Sequence, residues 1–296
     1  MAAFFMALNG LFIGLTTIDI QYFVDSFPGS NVKVKTNPPD IYVGGPATNA
    51  AVAFSFLGEN ANLASPVGKN SFSSTVLNDF KETGITHFDI AGKNVFQPIL
   101  ATVVTSQNGD RNIFTYNPDD INSEISADKL INEIKPNIIL IDGFFPEIAL
   151  HVIRKAKKNN IPVILDGGSW KPQILNLLPY IDYAICSENF LPPGCSEINE
   201  VFESLKSFEV DFIAITRGEK PILFLSDEGI KEIEVSNTDV VDTLGAGDFF
   251  HGAFAYYILK YKRFEESLMR ASKLASMTCK FQGTRKWLKC ANRIHY

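Results

Sequence analysis

Three small residues stand directly before an aspartate in the stretch VVDTLGAGDFFHGAF, residues 240–254. If Gly245, Ala246 and Gly247 open a helix, their N–H groups form an anion hole, because first-turn donors lack partners and small residues admit an anion. Asp248 would lie one turn in, where its carboxylate could take a proton from a hydroxyl that attacks phosphorus. The pattern therefore indicates phosphoryl transfer. The alternative is a plain glycine-rich loop whose acid is favoured by the helix dipole.

A second set of glycines and polar residues lies near the start of the chain. Gly44 and Gly45 precede the helical pattern of GGPATNAAVAFSFLG, residues 44–58. A glycine pair allows close backbone approach, and Asn49 offers a donor and an acceptor to neighbouring hydroxyls. Asp19 follows the first apolar run. These residues could hold a polyol, and the simpler alternatives are a turn and a solvated acid at a strand end.

Short apolar runs alternate with helical patterns, and these elements must position the polar residues. The runs are rich in β-branched residues without clean alternation, which is typical of parallel strands buried on both faces. The predicted strands are Leu11–Leu15 and residues 61–66, 137–142, 161–166, 182–186 and 212–216. The predicted helices are ATNAAVAFSFLG, FPEIALHVIRKAKKNN, AGDFFHGAFAYYILK and FEESLMRASKLASMTCKF. The alternation predicts an α/β fold with right-handed crossovers.

Two regions, about residues 17–43 and 97–116, break this alternation and are predicted to form antiparallel strands. The second pair would turn at Asn108-Gly109, a strong hairpin signal. We expect the four strands to form one small sheet, either as an edge extension of the main sheet or as a lid over a ligand. Residues 1–296 are thus predicted to form a single α/β domain.

Composition and charge exclude several classes of function. The net charge is −6 and no dense Lys/Arg block is present, so we expect no nucleic-acid partner and no anionic membrane surface. The four cysteines form no CxxC pair and the histidines are scattered, which indicates reduced thiols in the cytoplasm. Residues 1–18 are uncharged but lack a basic flank and are broken at Asn9-Gly10, so we expect neither a signal peptide nor a membrane span.

The stretch DTLGAGDFFHGAF resembles the C-terminal signature of the ribokinase-like, or PfkB, carbohydrate kinase family, and GGPATNAAVAFSFLG resembles its N-terminal signature. The resemblance extends over nearly the whole chain. It implies a three-layer α/β/α fold with a mostly parallel central sheet and a small β-strand lid. It also implies an ATP-dependent kinase that phosphorylates a sugar hydroxyl, with Mg²⁺ bridging ATP oxygens, of the fructokinase, ketohexokinase or ribokinase type.

The resemblance also implies roles for individual residues. Asp248 would be the catalytic base, residues 245–247 the anion hole, and Asp242 a support for the loop, often near a monovalent cation such as K⁺. The residues that would contact the sugar are Asp19, Gly44, Gly45 and Asn49, with Arg111 in the lid reaching a substrate or a phosphate. Arg111 is equally well explained as a surface hairpin charge.

Weaker matches concern the nucleotide. Thr216 and Gly218 in AITRGEKP would lie near the phosphates and base, and Gly283 in FQGTR would close the adenine pocket. The family often carries Asn-x-x-Glu where this chain has CSENF, so Glu188 would act on the metal through water. Another departure is VGKNSFSS, residues 67–74, where an Asn and a Ser replace the usual Asp and Gly.

Two other functions stay open at this point. One is a nucleoside kinase of the same family, and the other is a catalytically silent member that binds a sugar or a nucleotide. The open edge of the lid could pair with a second copy to give a homodimer. His251, on the signature helix, is expected to be packed or solvated rather than catalytic.

Overall fold

Strands and helices alternate along the described part of the chain. The structure is a computed structural model that describes residues 7–92, 97–107, 110–117, 121, 123 and 125–291. Its strands are β1 (Asn9–Ile13), β2 (Thr17–Val24), β3 (Asp40–Gly44), β4 (Asn60–Ser65), β5 (Ile85–Asp89), β6 (Leu100–Ser106), β7 (Arg111–Thr115), β8 (Ile138–Ile141), β9 (Val163–Gly167), β10 (Tyr183–Ser187), β11 (Phe212–Arg217), β12 (Lys220–Ser226) and β13 (Gly229–Ile233). Its α-helices are α1 (Pro46–Phe56), α2 (Ser73–Thr83), α3 (Ala127–Ile134), α4 (Pro146–Lys158), α5 (Ile198–Ser207), α6 (Ala246–Tyr261), α7 (Phe264–Thr278) and α8 (Lys286–Ala291).

The main sheet has nine strands in the order β13-β12-β11-β10-β9-β8-β1-β4-β5. Every pairing from β11 to β5 is parallel, whereas β12 and β13 add to one edge in antiparallel fashion. This confirms the mostly parallel α/β sheet that the apolar runs predicted. The sequence analysis missed β5, β12 and β13. Most of β13 is exposed, so it lacks the buried apolar run by which the central strands were recognised.

Helices cover both faces of the main sheet and give three layers. Successive residues of β1 point to opposite faces: Phe12 joins the core under α1, α6 and α7, while Leu11 and Ile13 join the core under α3, α4 and α5. All three side chains are fully buried. Among the described residues, no helix combines the length and the hydropathy needed to cross a membrane.

A second sheet of four strands, the small sheet, stands apart from the main sheet in the order β3-β2-β6-β7. It is therefore not an edge extension of the main sheet. The outer pairings are antiparallel, but the central pair β2 and β6 is parallel, so the expectation of a wholly antiparallel sheet was wrong. A parallel pair is possible because a long part of the chain separates β2 from β6 and lets both strands run in the same direction. The predicted turn at Asn108-Gly109 lies outside the described residues.

Strand β3 is shorter than predicted. Strands were expected over about residues 17–43, but β3 begins only at Asp40. Val32 and Val34 are exposed, at 58% and 45% of their surface, so no packed face holds that part of the chain in a ladder.

Helices α1 and α6 cross at very close range, and a glycine makes this possible. A Cβ atom built on Gly252 would overlap the carbonyl oxygen of Ala50. Asn49 lies near the N-terminal end of α1 and Asp248 near that of α6, so this crossing sets the distance between the two candidate site residues.

We expect Gly252→Ala to destabilise the fold by about 1–3 kcal/mol, because the added methyl group meets backbone atoms that cannot rotate away. The intrinsic helix preference of Ala offsets part of this loss. Denaturant unfolding measures the effect. The matched control is Gly247→Ala in the first turn of the same helix, where a Cβ atom meets nothing within 4 Å. Equal stability of the two variants would show that the crossing can relax.

Candidate active site

The N-terminal end of α6 presents free backbone donors. Gly245 caps the helix with φ 76°, a left-handed conformation that suits glycine. Ala246 N–H donates to the Thr243 carbonyl (3.2 Å) and Phe249 N–H to the Gly245 carbonyl (2.9 Å). Between them, the N–H groups of Gly247 and Asp248 find no acceptor among the described residues. These two groups form the part of the predicted anion hole that is open to a ligand.

The Asp248 carboxylate lies beside these donors and is held by α1. Asn49 Nδ2 donates to Asp248 Oδ2 at 2.8 Å. Burial and the nearby Asp166 carboxylate raise the pKa of Asp248 to about 7, against the opposing effects of the Asn49 hydrogen bond and His251. A carboxylate whose pKa lies near neutrality both accepts and releases a proton readily, which is what general-base chemistry requires.

The other end of the Asn49 amide is held by a residue that the sequence analysis did not select. Arg285 Nη1 donates to Asn49 Oδ1 at 2.9 Å. The same guanidinium makes a bidentate ion pair with Asp79 of α2, with Nε–Oδ1 and Nη2–Oδ2 distances of 2.9 and 3.0 Å. Both side chains are only 15% exposed. The chain Asp79–Arg285–Asn49 therefore fixes which way the amide presents its donor to Asp248. In the sequence, Arg285 is only a single charge in FQGTR, and nothing there marks its partner.

We expect Arg285→Met to lower kcat/KM for the acceptor by about 10- to 100-fold, because the loss of a hydrogen bond from a charged donor frees the Asn49 amide to turn. Steady-state kinetics on the purified variant measure this. Asp79→Asn is the control, since it weakens the ion pair but keeps the Arg285–Asn49 bond. An equal loss in both variants would mean that the ion pair, and not the orientation of Asn49, supports the site.

Asp19 approaches the same cluster from the small sheet. It is 7% exposed on β2, and its Oδ1 accepts a hydrogen bond from Thr17 Oγ1 at 2.7 Å. Burial raises the pKa of Asp19 to about 6, while Thr17 and the Arg285 charge oppose the rise. Gly44 on the neighbouring β3 leaves the room for this carboxylate, because a Cβ atom there would overlap Asp19 Oδ2.

The glycine pair is followed by α1, whose first turn is capped from another strand. Gly45 provides no side-chain cap, but Asp142, just after β8, accepts from Ala47 N–H at 3.3 Å and from Leu15 N–H at 2.8 Å. Burial raises the pKa of Asp142 to about 6, against the Leu15 hydrogen bond and the Lys171 charge. This acid links the segment after β1, the end of β8 and α1, and its place at a strand end is the only sign of it in the sequence.

The residues predicted to contact the nucleotide lie farther along the same edge of the main sheet. Thr216 is the second-last residue of β11, and its carbonyl accepts from Glu188 N–H at 2.9 Å, so these two residues are neighbours. Gly218 lies in the turn that follows, between β11 and β12. Glu188 is exposed, and Lys220 Nζ lies 3.4 Å from its Oε2. A single exposed carboxylate fits Mg²⁺, which keeps several waters and takes its other ligands from phosphates.

Asp242 and Gly283 lie together beneath the small sheet. Asp242 Oδ2 accepts from Gly283 N–H (2.9 Å) and from Gln21 Nε2 (3.2 Å), and Oδ1 accepts from Leu244 N–H (3.0 Å). These contacts support the signature loop. They do not fit a monovalent-cation site, because all three are N–H donors rather than oxygen ligands.

Arg111 begins β7, at the outer edge of the small sheet, and is exposed. Burial and Asp242 raise the pKa of the Cys279 thiol, and the Arg111 charge opposes this rise. Arg111 is therefore close to the Asp242 loop. The structure thus gathers Asp19, Asn49 and Asp248 into one cluster. Arg111 lies near the Asp242 loop, and Glu188 lies beside Thr216, outside this cluster.

Comparison with known proteins places this geometry in context. Residues 9–289 match the family model described as pfkB family carbohydrate kinase. A ribokinase from Dictyostelium discoideum is 27% identical, covering 98% of this chain and 100% of that protein. A nucleoside kinase from Methanocaldococcus jannaschii (strain ATCC 43067) is 25% identical, with 95% of each chain covered.

Solved structures share the fold. The structure of Arabidopsis thaliana ribokinase complexed with ribose and ATP has a TM-score of 0.76 at 20% identity, covering 98% of this chain and 100% of that one. The family match over nearly the whole chain and the kinases among the relatives make the protein a phosphotransferase with an alcohol group as acceptor. It belongs to the pfkB family of carbohydrate kinases.

Proposed function

We propose that this protein is an ATP-dependent sugar kinase in which Asp248 is the general base. The observation that carries the proposal is one helix turn that combines a carboxylate, whose pKa is raised to about 7, with two backbone N–H groups that have no acceptor in the described part of the chain. The carboxylate suits deprotonation of a hydroxyl, and the N–H groups suit the charge that grows on a transferring phosphate.

The reaction can be written with these groups. The sugar oxygen attacks the γ-phosphorus, its proton passes to Asp248, and the bond between the γ-phosphorus and the bridging oxygen breaks to release ADP. The N–H groups of Gly247 and Asp248 stabilise negative charge on the γ-phosphoryl oxygens. Glu188 would hold Mg²⁺, which neutralises charge on the phosphates when it is bound.

The sugar would lie between Asp19, Asn49 and the Gly44-Gly45 backbone. Asp19 Oδ2 can accept a hydrogen bond from a sugar hydroxyl, since Thr17 engages the other carboxylate oxygen. The small sheet carries Asp19 on β2, so its closure over the main sheet would both complete the sugar site and exclude water as a competing acceptor. Arg111 would reach the substrate or a phosphate from the small sheet, and Gly283 would close the adenine pocket.

Three further properties belong to the proposal. The working compartment is the cytoplasm, with no nucleic-acid or membrane partner. Strands β3 and β7 form the two edges of the small sheet, β7 is exposed along its length, and an edge of this sheet could pair with a second copy. A single monomer mass in solution at micromolar concentration would remove the homodimer.

A nucleoside kinase is the second candidate, favoured by the archaeal nucleoside kinase among the relatives. A silent binder is less well supported, because a protein that only binds has no chemical use for a base beside free N–H donors. The ribose hydroxyls of a nucleoside could meet Asp19 and Asn49 in the same way as those of a free sugar.

The test is ADP release from Mg-ATP against fructose, ribose, glucose, 2-keto-3-deoxygluconate, adenosine and inosine. Parallel runs with K⁺ and with Na⁺ as the only monovalent cation measure the cation requirement. Turnover on a sugar supports the leading proposal, and turnover on adenosine or inosine alone selects the second candidate. Silence across the panel despite ATP binding would favour a silent binder.

A further inference from the structure

His251 lies one turn after Gly247 on α6 and is 4% exposed. Its Nδ1 is 2.7 Å from the Gly247 carbonyl oxygen, and its Nε2 is 3.0 Å from the Ile185 carbonyl oxygen of β10. A carbonyl oxygen only accepts hydrogen bonds, so each ring nitrogen must carry a proton for both contacts to form. The geometry therefore indicates a doubly protonated, positively charged imidazolium.

A buried carboxylate, that of Asp166, lies close enough to His251 to balance this positive charge. Asp166, in β9, is 4% exposed, and its Oδ2 lies 3.5 Å from His251 Nδ1. Among the described residues this oxygen has no hydrogen-bond partner. A buried carboxylate without a partner is costly, whereas beside an imidazolium it is compensated.

Charged groups face this pair from several elements. Asp248 lies on the same helix, and Asp19 approaches Asp248 from β2. Asp142, after β8, lies close enough to Asp166 for the two charges to interact, and Lys171 in turn acts on Asp142. Three other acids thus crowd the region, and His251 is the cationic group in contact with Asp166.

We propose that His251 is a positioning residue: as an imidazolium paired with Asp166, it holds the Gly247 carbonyl and so fixes and polarises the peptide group that joins Gly247 to Asp248. The carbonyl oxygen of Gly247 and the N–H of Asp248 belong to this one peptide. A cationic donor on the oxygen strengthens the N–H as a donor to an anion. The kinetic consequence rests on the proposed kinase function, but the state of the ring does not.

The ring state is tested directly by ¹⁵N NMR of the labelled full-length protein at pH 7.5. His251→Asn assigns the signals by their disappearance, and His151→Asn, an exposed histidine of α4, is the matched control. We expect both ring nitrogens of His251 to carry protons. A neutral ring with one unprotonated nitrogen would overturn the proposal whether or not the protein is a kinase.

The second test is kinetic and uses Asp166→Asn, which keeps the size of the side chain and removes its charge. Since the Asp166 carboxylate raises the pKa of Asp248, the acid limb of kcat should move to lower pH by about one unit. A merely structural role for Asp166 would lower kcat without moving this limb. An unmoved limb would overturn the electrostatic part of the proposal.

The interaction between His251 and Asp166 is tested by a double-mutant cycle. We expect His251→Asn to lower kcat at least about tenfold, with little change in the sugar KM, because a donor behind the anion hole is lost. The double variant with Asp166→Asn should lose less than the product of the two single losses, since no buried charge is left alone. Independent, multiplicative losses would overturn the pairing. The control His151→Asn should keep its kcat.

The failure of the kinase function is distinguishable from the failure of this proposal. If no acceptor is turned over, the kinase proposal fails, and NMR still decides the protonation of His251. The free energy of unfolding of the wild type, the two single variants and the double variant then replaces kcat in this comparison. A stability loss in the double variant equal to the sum of the single losses would again contradict the pairing.

Discussion

Asp248→Asn should lower kcat by about 100- to 10,000-fold, the range that general-base catalysis contributes. The amide cannot take the proton of the attacking hydroxyl, so the oxygen must attack before it is deprotonated. The fold of this variant should be stable. Burial makes the ionised form of Asp248 unfavourable, and Asn has nearly the same shape without the charge. ADP release with the sugar identified by the panel measures the loss, and circular dichroism checks the fold.

The pH profile is the control for this prediction. Only ionised Asp248 accepts a proton, so wild-type kcat should fall as pH drops through about 7, the raised pKa of this carboxyl. The residual activity of Asp248→Asn should lack this limb. A variant that retains both wild-type kcat and the acid limb would remove Asp248 from the role of base.

Asp19→Ala should lower kcat/KM for the sugar by about 100-fold or more, chiefly through KM. A hydroxyl bound to an ionised carboxylate contributes about 1.5–3 kcal/mol, and the upper end of this range corresponds to about 100-fold. The KM for ATP should change little, because Asp19 lies in the small sheet, whereas Thr216 and Gly218, proposed to contact the phosphates and base, lie at an end of the main sheet. Initial rates with each substrate varied in turn separate the two constants.

Thr17→Val is the matched control for Asp19. It removes the 2.7 Å hydrogen bond to Asp19 Oδ1 and keeps the carboxylate. We expect a smaller loss, about tenfold or less, because this bond only orients the acid. A loss in the control as large as that in Asp19→Ala would show that orientation matters as much as charge. An unchanged sugar KM in Asp19→Ala would contradict the proposed sugar contact.

The local signals in the sequence predicted much of the fold. The central strands are recognisable because both faces are buried and their apolar runs are continuous, as in β8 to β11. Strand β13 and the exposed segment before β3 were misjudged because a strand at an edge is held by its neighbours rather than by its own composition. The parallel pairing of β2 with β6 could not be predicted, since register between distant strands leaves no local pattern.

The residues of the candidate site were likewise predictable only in part. Glycines and Asp248 at a helix start are visible because the chemistry requires them at fixed spacing. The residues that support Asp248 cannot be recognised in the sequence, because Arg285, Asp79 and Asp166 come from three distant parts of the chain. His251 was expected to be packed or solvated, and the structure buries it between two carbonyl oxygens that only the folded chain brings together.

The parallel pair at the centre of the small sheet has a consequence for the order of folding. Gln21 of β2 and Thr105 of β6 are 84 positions apart in the chain. Between them lie α1, β4, α2 and β5, which belong to the main sheet and its helices. Closing so long a loop is entropically unfavourable until the intervening segment is compact. The small sheet should therefore assemble late and open early, so its amides should exchange with solvent deuterium through partial opening while β1 and β8 remain protected.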